Sequence, residues 1–471
     1  GYGDVSVIYA AIPFLNVIFT YGLETAYFRF SQKENFKKDI YSTSSISIFI
    51  STALLTALLL LWHSSLAHLL KLDTHPEFIT YCALIIALDT LTTLPFAKLR
   101  QQGRPKKFAA IRITSILITI FLTYFFISVC PKIVAGDPTG FIAKHYIKNY
   151  GVGYVIIANL VASFVTLLLL FKELFSFKLK INISIWKQMM VYSLPLIIVG
   201  FGGMINETFD RLMLLWYAPV HSIDAAKLQV GIYSGCYKLS LLITLFIQAF
   251  RMGAEPFFFK QAEGKDPQRT YARVMKFFVI TITVMFLAVA LFLDVWKYFL
   301  SKPVYWEGLK VVPILLLANM FLGIYYNLAI WFKLTHRTIS GAYITLIGAA
   351  ITLMINYIFI PYYSYMACAW ATFFCYGSMM IISFIWGQKE YLIPYAWKKL
   401  CAYIVIVVVL FFIHQTVIHF WSNQAINFGV AGFLLLTYLW FILKVERKEF
   451  MKLPLLNRFL KPSAVPPPVT N

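Results

Sequence analysis

Thirteen stretches of nearly unbroken apolar residues alternate with short polar segments along the chain: 5–28, 40–70, 77–97, 108–130, 151–171, 188–217, 230–259, 277–296, 311–332, 338–360, 364–386, 400–420 and 425–443. Each approaches the roughly 20 residues that an α-helix, rising about 1.5 Å per residue, needs to cross about 30 Å of hydrocarbon. The blocks are continuously apolar, whereas strands of a membrane barrel alternate apolar and polar positions over segments of about ten residues. The pattern predicts an all-α polytopic membrane protein with thirteen spans.

The pattern also repeats. Gly3-Asp-Val-Ser6-Val-Ile-Tyr9 aligns with Gly231-Ile-Tyr-Ser234-Gly-Cys-Tyr237, and Phe28, Phe30 and Gln32 align with Phe257, Phe259 and Gln261. Both stretches begin at one membrane face, run through an apolar block and end in a basic loop. If the halves are equivalent, the 188–217 helix has a counterpart upstream of Gly1. The chain is then expected to start inside a longer protein of fourteen spans, with roughly 40 residues preceding it. The resulting organisation is an N-terminal helical lobe over 1–175 without its first helix, a C-terminal lobe over 187–390, a further helix pair over 395–445 and a cytoplasmic tail over 446–471. Within that tail, Pro462 to Asn471 is Pro-rich and is expected to be disordered.

Composition sharpens the membrane reading. Hydrophobic residues make up 60% of the 471 and charged residues 13%, and the mean hydropathy is +0.74. A soluble domain holds about 25% charged residues, so lipid is the solvent. A formal charge of +21 would suit nucleic acid, but the position of the charges excludes it. Most of the cations fall in alternate loops: Lys33 to Lys38, Lys98 to Lys107, Lys172 to Lys187, Lys260 to Lys276, Lys333 with Arg337, Lys389 to Lys399, and Lys444 to Lys461. The positive-inside rule makes these loops cytoplasmic, together with the C-terminus of a protein of the cytoplasmic (inner) membrane. The six cysteines lie scattered in apolar stretches without metal-ligand spacing, so they are expected to pack as small hydrophobes.

Five cations remain within the apolar blocks: Arg29, Arg112, Arg211, Lys238 and Arg251. At the bilayer centre each costs about 2.5–3.5 kcal/mol unless it meets a polar cavity or a partner. Carboxylates at similar depth are Glu24, Asp89, Glu207, Asp210 and Glu255. Glu207, Asp210 and Arg211 would share one face of a continuous helix, as would Arg251 and Glu255. Two readings satisfy the energetics: the groups line a central cavity, or they neutralise one another as intrahelical ion pairs. Arg211, Lys238, Arg251 and Arg112 are the substrate-binding candidates, and the five acids are coupling or cavity candidates. Pro195, Gly202 and Gly203 interrupt the 188–217 block as hinge candidates or as a packing kink. No phosphate loop, nucleophile elbow or metal-spaced cluster occurs in the sequence, so neither metal nor cofactor is expected. The longest outer loop, about 131–150, holds Asp137 as its only acid, too little for an extracytoplasmic glycosyltransferase or polymerase site.

Ser193-Leu-Pro195, Asn206, Asp210-Arg211, Gly231-Ile-Tyr-Ser234, Tyr237-Lys238-Leu239 and Pro256 resemble the polysaccharide-precursor flippases of the MATE-like multidrug/oligosaccharidyl-lipid/polysaccharide exporter superfamily. So do Tyr2-Gly3-Asp4 and Tyr21-Gly22-Leu23-Glu24-Thr25-Ala26-Tyr27-Phe28-Arg29-Phe30. The resemblance implies two six-helix lobes around a central cavity and alternating access. It implies an undecaprenyl-diphosphate-linked glycan as cargo, for O-antigen, capsule or exopolysaccharide, with proton or sodium coupling. Lipid II flippases and cation-coupled multidrug antiporters of the same fold are the alternatives, the latter disfavoured by five cations within the spans.

Overall fold

The computed structural model describes residues 2–31, 39–72, 75–147, 150–220, 222–262, 265–300, 302–335, 337–421 and 423–451, apart from the side chains at 2, 4, 5, 252, 253, 255, 256, 259, 260, 338 and 448. The basic loop at Lys33 to Lys38, the side chain of Glu255 and the Pro-rich tail lie outside them.

Among the described residues all regular structure is helical. The major helices are α1 (Tyr2–Thr20), α2 (Leu23–Ser31), α3 (Ile40–Leu61), α4 (Glu77–Gln101), α5 (Pro105–Tyr124), α6 (Val152–Leu169), α7 (Ile183–Glu207), α8 (Phe209–Tyr217), α9 (Ile223–Gln261), α10 (Pro267–Ala290), α11 (Val312–Leu328), α12 (Thr338–Tyr363), α13 (Tyr365–Glu390), α14 (Trp397–Phe420) and α15 (Gln424–Val445). Twelve helical segments are long and apolar enough to cross a membrane, and α1 with α2 makes a thirteenth span bent by 43°. Each apolar block of the sequence therefore contains a span.

Two spans are broken in ways the hydropathy pattern does not reveal. Between α1 and α2, Tyr21 and Gly22 both take positive φ, 34° and 69°. A Cβ at Gly22 would come within 3.0 Å of the Leu196 side chain and the Ser193 carbonyl, so the position needs glycine for space as well as for φ. Between α7 and α8, Thr208 leaves helical geometry at φ −135° and ψ −17°. Pro195, by contrast, lies inside the assigned span of α7. The break at Thr208 lies beyond Pro195, Gly202 and Gly203, all three of which fall within α7.

The chain forms two compact units, one of Gly1–Ser234 with Thr345–Cys375, the other of Gly235–Ile344 with Tyr376–Asn471 in its described part. In the first, Tyr21, Leu23, Tyr27, Tyr41, Ile48, Leu94, Ile185 and Met189 form one buried core between α2, α3, α4 and α7. Hydroxyl groups on α3 tie down the segment that leads into α7: Ser42 Oγ accepts from the Lys178 amide at 3.0 Å, and Thr43 Oγ1 from the Asn182 amide at 3.1 Å. Asn182 then caps α7 through the amides of Ser184 and Ile185.

In the second unit, Phe258, Tyr271, Ile330 and Ile393 form a core, and Tyr438 of α15 donates to Thr283 Oγ1 of α10 at 2.8 Å. An ionic knot closes the same helices at one end. Glu446, 2% exposed, accepts from Lys399 Nζ at 2.6 Å, Tyr403 Oη at 2.6 Å and Lys276 Nζ at 3.1 Å. Glu449 adds Arg273 at 3.2 Å. Residues 446 to 450, at the start of the segment expected as cytoplasmic tail, are packed here. Burial alone would push the Glu446 carboxyl up, but the bonds from Lys399, Tyr403 and Lys276 outweigh it and hold the group below its ordinary value of 4.5.

A depressed carboxylate stabilises the fold above its unfolded pKa and loses that contribution as pH falls through the folded one. Glu446→Gln is therefore expected to cost about 2 kcal/mol at pH 7, less than the about 3–5 kcal/mol of a fully buried pair because Lys399 is partly exposed. Thermal unfolding of the purified protein at pH 7 and pH 4 checks this: the gap between variant and wild type narrows as pH falls below about 4.5.

Candidate functional site

The charges within the spans sort into three environments. The first is a knot in the Gly1–Ser234 unit, where the start of α8 meets α9 and α13. Asp210 and Arg211 are 3% and 9% exposed. Arg211 Nη1 lies 3.2 Å from Asp210 Oδ1 and donates to the Glu207 carbonyl at 2.8 Å; its amide donates to Asp210 Oδ1 at 2.8 Å. Tyr233 Oη donates to Asp210 Oδ2 at 2.6 Å, and Cys368 Sγ reaches the Asp210 carbonyl at 3.7 Å. The break at Thr208 explains the geometry. It frees the Glu207 carbonyl from the helix ladder, and that oxygen accepts from Arg211. Glu207, Asp210 and Arg211 consequently do not present one face of a continuous helix. Glu207 is exposed on α7 while the other two turn inward.

The hinge candidates surround this break unevenly. A Cβ on Gly202 would meet Leu346 and Thr345 of α12 at 3.3 and 3.4 Å, whereas Gly203 faces open space. Asn206 Nδ2 donates to the Thr345 carbonyl at 3.1 Å, so the end of α7 is held against α12. Pro195 is exposed.

The second environment is a scatter of local partners in the same unit. Glu24, in the first turn of α2, pairs with Arg100 at the basic end of α4. Asp89 on α4 accepts from Ser163 Oγ on α6 at 2.8 Å. Arg112 stacks over Phe96 at 4.2 Å, and Arg29 over Tyr192 at 4.2 Å. Asp89 and Arg112 lie near enough to attract one another, while Glu24 and Arg29 have the separate neighbours just named. Glu24 in particular pairs with a cation at the end of another span rather than with one deep inside it.

The third environment is a shallow, solvent-open pocket in the second unit, between α9, α11 and the short helix Ile330–Leu334. Arg251, exposed, lies with its guanidinium carbon 4.7 Å from the centre of the Tyr326 ring. Lys333 and Asn327 complete the polar lining, and Phe250, Ala254 and Phe258 supply apolar wall. Asn327 is 4% exposed; its Nδ2 donates to the Gly323 carbonyl at 3.2 Å, and its Oδ1 has no hydrogen-bond partner. Gly323 lets α11 approach closely, since a Cβ there would fall 2.7 Å from Phe278 and 2.9 Å from Ile247. Lys238 is exposed on α9.

Of the residues singled out in the sequence, this pocket contains Arg251. Lys333, Tyr326 and Asn327 escaped sequence reasoning. Lys333 counts as a loop cation by position, and a tyrosine and an asparagine in an apolar span give no signal by type. The spacing Asn319, Gly323, Asn327 on one face of α11 is the trace they leave.

The two buried and exposed cations should respond differently to truncation. Asp210→Ala leaves Arg211 without its carboxylate and is expected to destabilise the protein by about 3–5 kcal/mol. Arg251→Ala should change stability by less than about 0.5 kcal/mol, as for surface substitutions. Thermal unfolding of both purified variants against wild type measures the contrast.

The model of a family described as "Polysaccharide biosynthesis protein" matches residues 1–262. No curated protein matches by sequence. Among solved structures, the chain resembles the lipid II flippase MurJ in an inward closed conformation, with TM-score 0.62 and 13% identity over 94% of this chain and 96% of that one. It also resembles a MATE protein in the bent conformation, with TM-score 0.55 and 13% identity over 85% and 86%. A Vibrio cholerae MATE transporter mutant gives TM-score 0.51 and 12% identity over 83% and 87%. The fold is that of MurJ and the MATE transporters.

Proposed function

Because this chain belongs to the polysaccharide biosynthesis protein family, we propose that it is a flippase carrying a lipid-diphosphate-linked oligosaccharide across the cytoplasmic membrane by alternating access, without covalent chemistry. The cargo in this reading is an undecaprenyl-diphosphate glycan for O-antigen, capsule or exopolysaccharide, and the C-terminus is cytoplasmic.

The observation that carries the reading is the pairing of Arg251 and Lys333 in one pocket beside Tyr326. A cation within a span is costly unless something compensates it. Arg211 is compensated by Asp210 and acts as a structural ion. Arg251 stands exposed over the Tyr326 ring in a pocket open to solvent, where its charge can meet an anion. A diphosphate meets that need through charge-assisted hydrogen bonds, with the planar guanidinium able to engage two oxygens at once. A cationic drug would be repelled by the same charge.

Deleting the gene and restoring it on a plasmid, with lipid-linked precursor and surface glycan quantified, tests this directly. Loss of the gene should leave precursor inside and remove surface polymer. Arg251→Ala should restore less than about one tenth of wild-type export, the scale of one lost charge-assisted contact of about 1.5–3 kcal/mol, at unchanged protein level. Normal surface glycan in the deletion strain removes the flippase reading.

A further inference from the structure

We propose that an apolar groove between α14 and the helices α10, α11 and α13 holds one acyl chain of an anionic phospholipid, with the lipid's phosphate beside Lys398. The inference goes beyond the flippase reading, because this lipid is a resident of the fold and not its cargo.

The groove measures about 180 Å³ and is bounded by Val279 of α10, Ile324 of α11, Ile381 and Phe384 of α13, and Leu400 and Ile404 of α14. All of them belong to the second unit. Of the lining side chains, Tyr395, Trp397 and Cys401 carry a hydrogen-bond donor, and the rest are apolar. A buried water needs about two to four polar partners, which such a wall does not offer. An apolar cavity of roughly 150 Å³ takes up benzene, so this groove has room for several methylenes.

Its place in the fold orients the occupant. Trp397 begins α14 and Ile404 lies two helical turns further on, so the groove descends about 10 Å from the end of the span. That is less than one leaflet, about half of the 30 Å hydrocarbon thickness. An acyl chain at its ordinary depth fills such a slot, whereas the tail of a cargo that crosses both leaflets would need a longer path. In the orientation proposed above, the leaflet is the cytoplasmic one.

Charge decides which lipid enters. Filling the groove from a bilayer exchanges one set of apolar contacts for another, so the chain confers little preference by itself. Cations gather at the mouth. Lys276 and Lys399 are engaged by Glu446, and Arg337 by Glu390. Lys398 is exposed, and its contact among the described residues is the Trp397 ring, 5.8 Å from Nζ. Its ammonium stands next to the residue that lines the mouth, at the depth of lipid phosphates, and no carboxylate among the described residues neutralises it. An anionic headgroup complements that charge.

The full chain, purified and delipidated in detergent, is given phosphatidylglycerol or phosphatidylcholine with matched acyl chains. Bound lipid is counted by native mass spectrometry. Cys401, the exposed cysteine of the six, lines the groove, so its rate of alkylation by N-ethylmaleimide reports occupancy. Phosphatidylglycerol is expected to bind about fivefold tighter than phosphatidylcholine, the size of one interfacial lysine's attraction for an anionic lipid, and to slow alkylation of Cys401 when bound. Lys398→Gln should bring the two affinities together. Equal affinities in wild type, which need no variant, overturn the proposal, as does a preference that survives Lys398→Gln. Phosphatidylglycerol that binds without protecting Cys401 lies elsewhere and also overturns it. Decaprenyl phosphate separates the sources: protection stronger than that of phosphatidylglycerol gives the groove to an isoprenoid tail and removes the resident phospholipid.

Discussion

A bilayer offers no partners for polar groups, and that constraint organises every feature of this molecule. Backbone amides and carbonyls must be satisfied within the chain, which makes the spans helical. Where a helix breaks, the freed groups need new partners. At Thr208 the released Glu207 carbonyl accepts from Arg211, whose charge is in turn met by Asp210, with Tyr233 closing the set. The break and the buried ion pair are therefore one feature, each making the other tolerable.

The same constraint separates structural charge from functional charge. Several cations among the described residues meet carboxylates, carbonyls or aromatic faces. Arg211 and Lys276 are enclosed by carboxylate partners, and their energetics are complete within the fold. Arg251 lies over Tyr326 in a pocket that Lys333 also lines. The family's link to polysaccharide biosynthesis and the MurJ and MATE fold give that pocket a setting.

Within the second unit, the ends of the last helix pair are held by different means. Tyr438 bonds Thr283 along the helices, while Glu446 gathers Lys276, Lys399 and Tyr403 at their end. The knot is ionic because it lies where water and basic loop residues are available. Farther in, hydroxyl and aromatic contacts take over, since a charge there would carry its full desolvation cost.

The amino-acid sequence by itself determined the number and position of the spans and the helical class, because these follow from transfer of side chains and backbone between water and lipid and need no knowledge of neighbours. It also marked Arg211 and Arg251 as costly charges. Only the tertiary structure decided their different fates. Hydropathy averages over a window and cannot register a single residue, such as Tyr21 or Thr208, that leaves helical φ and ψ. Nor can spacing along one helix show that Asp210 meets Tyr233, or that Arg251 lies over Tyr326 from a distant segment. Those pairings are set by how helices pack, and packing is a property of faces in contact rather than of positions in a chain.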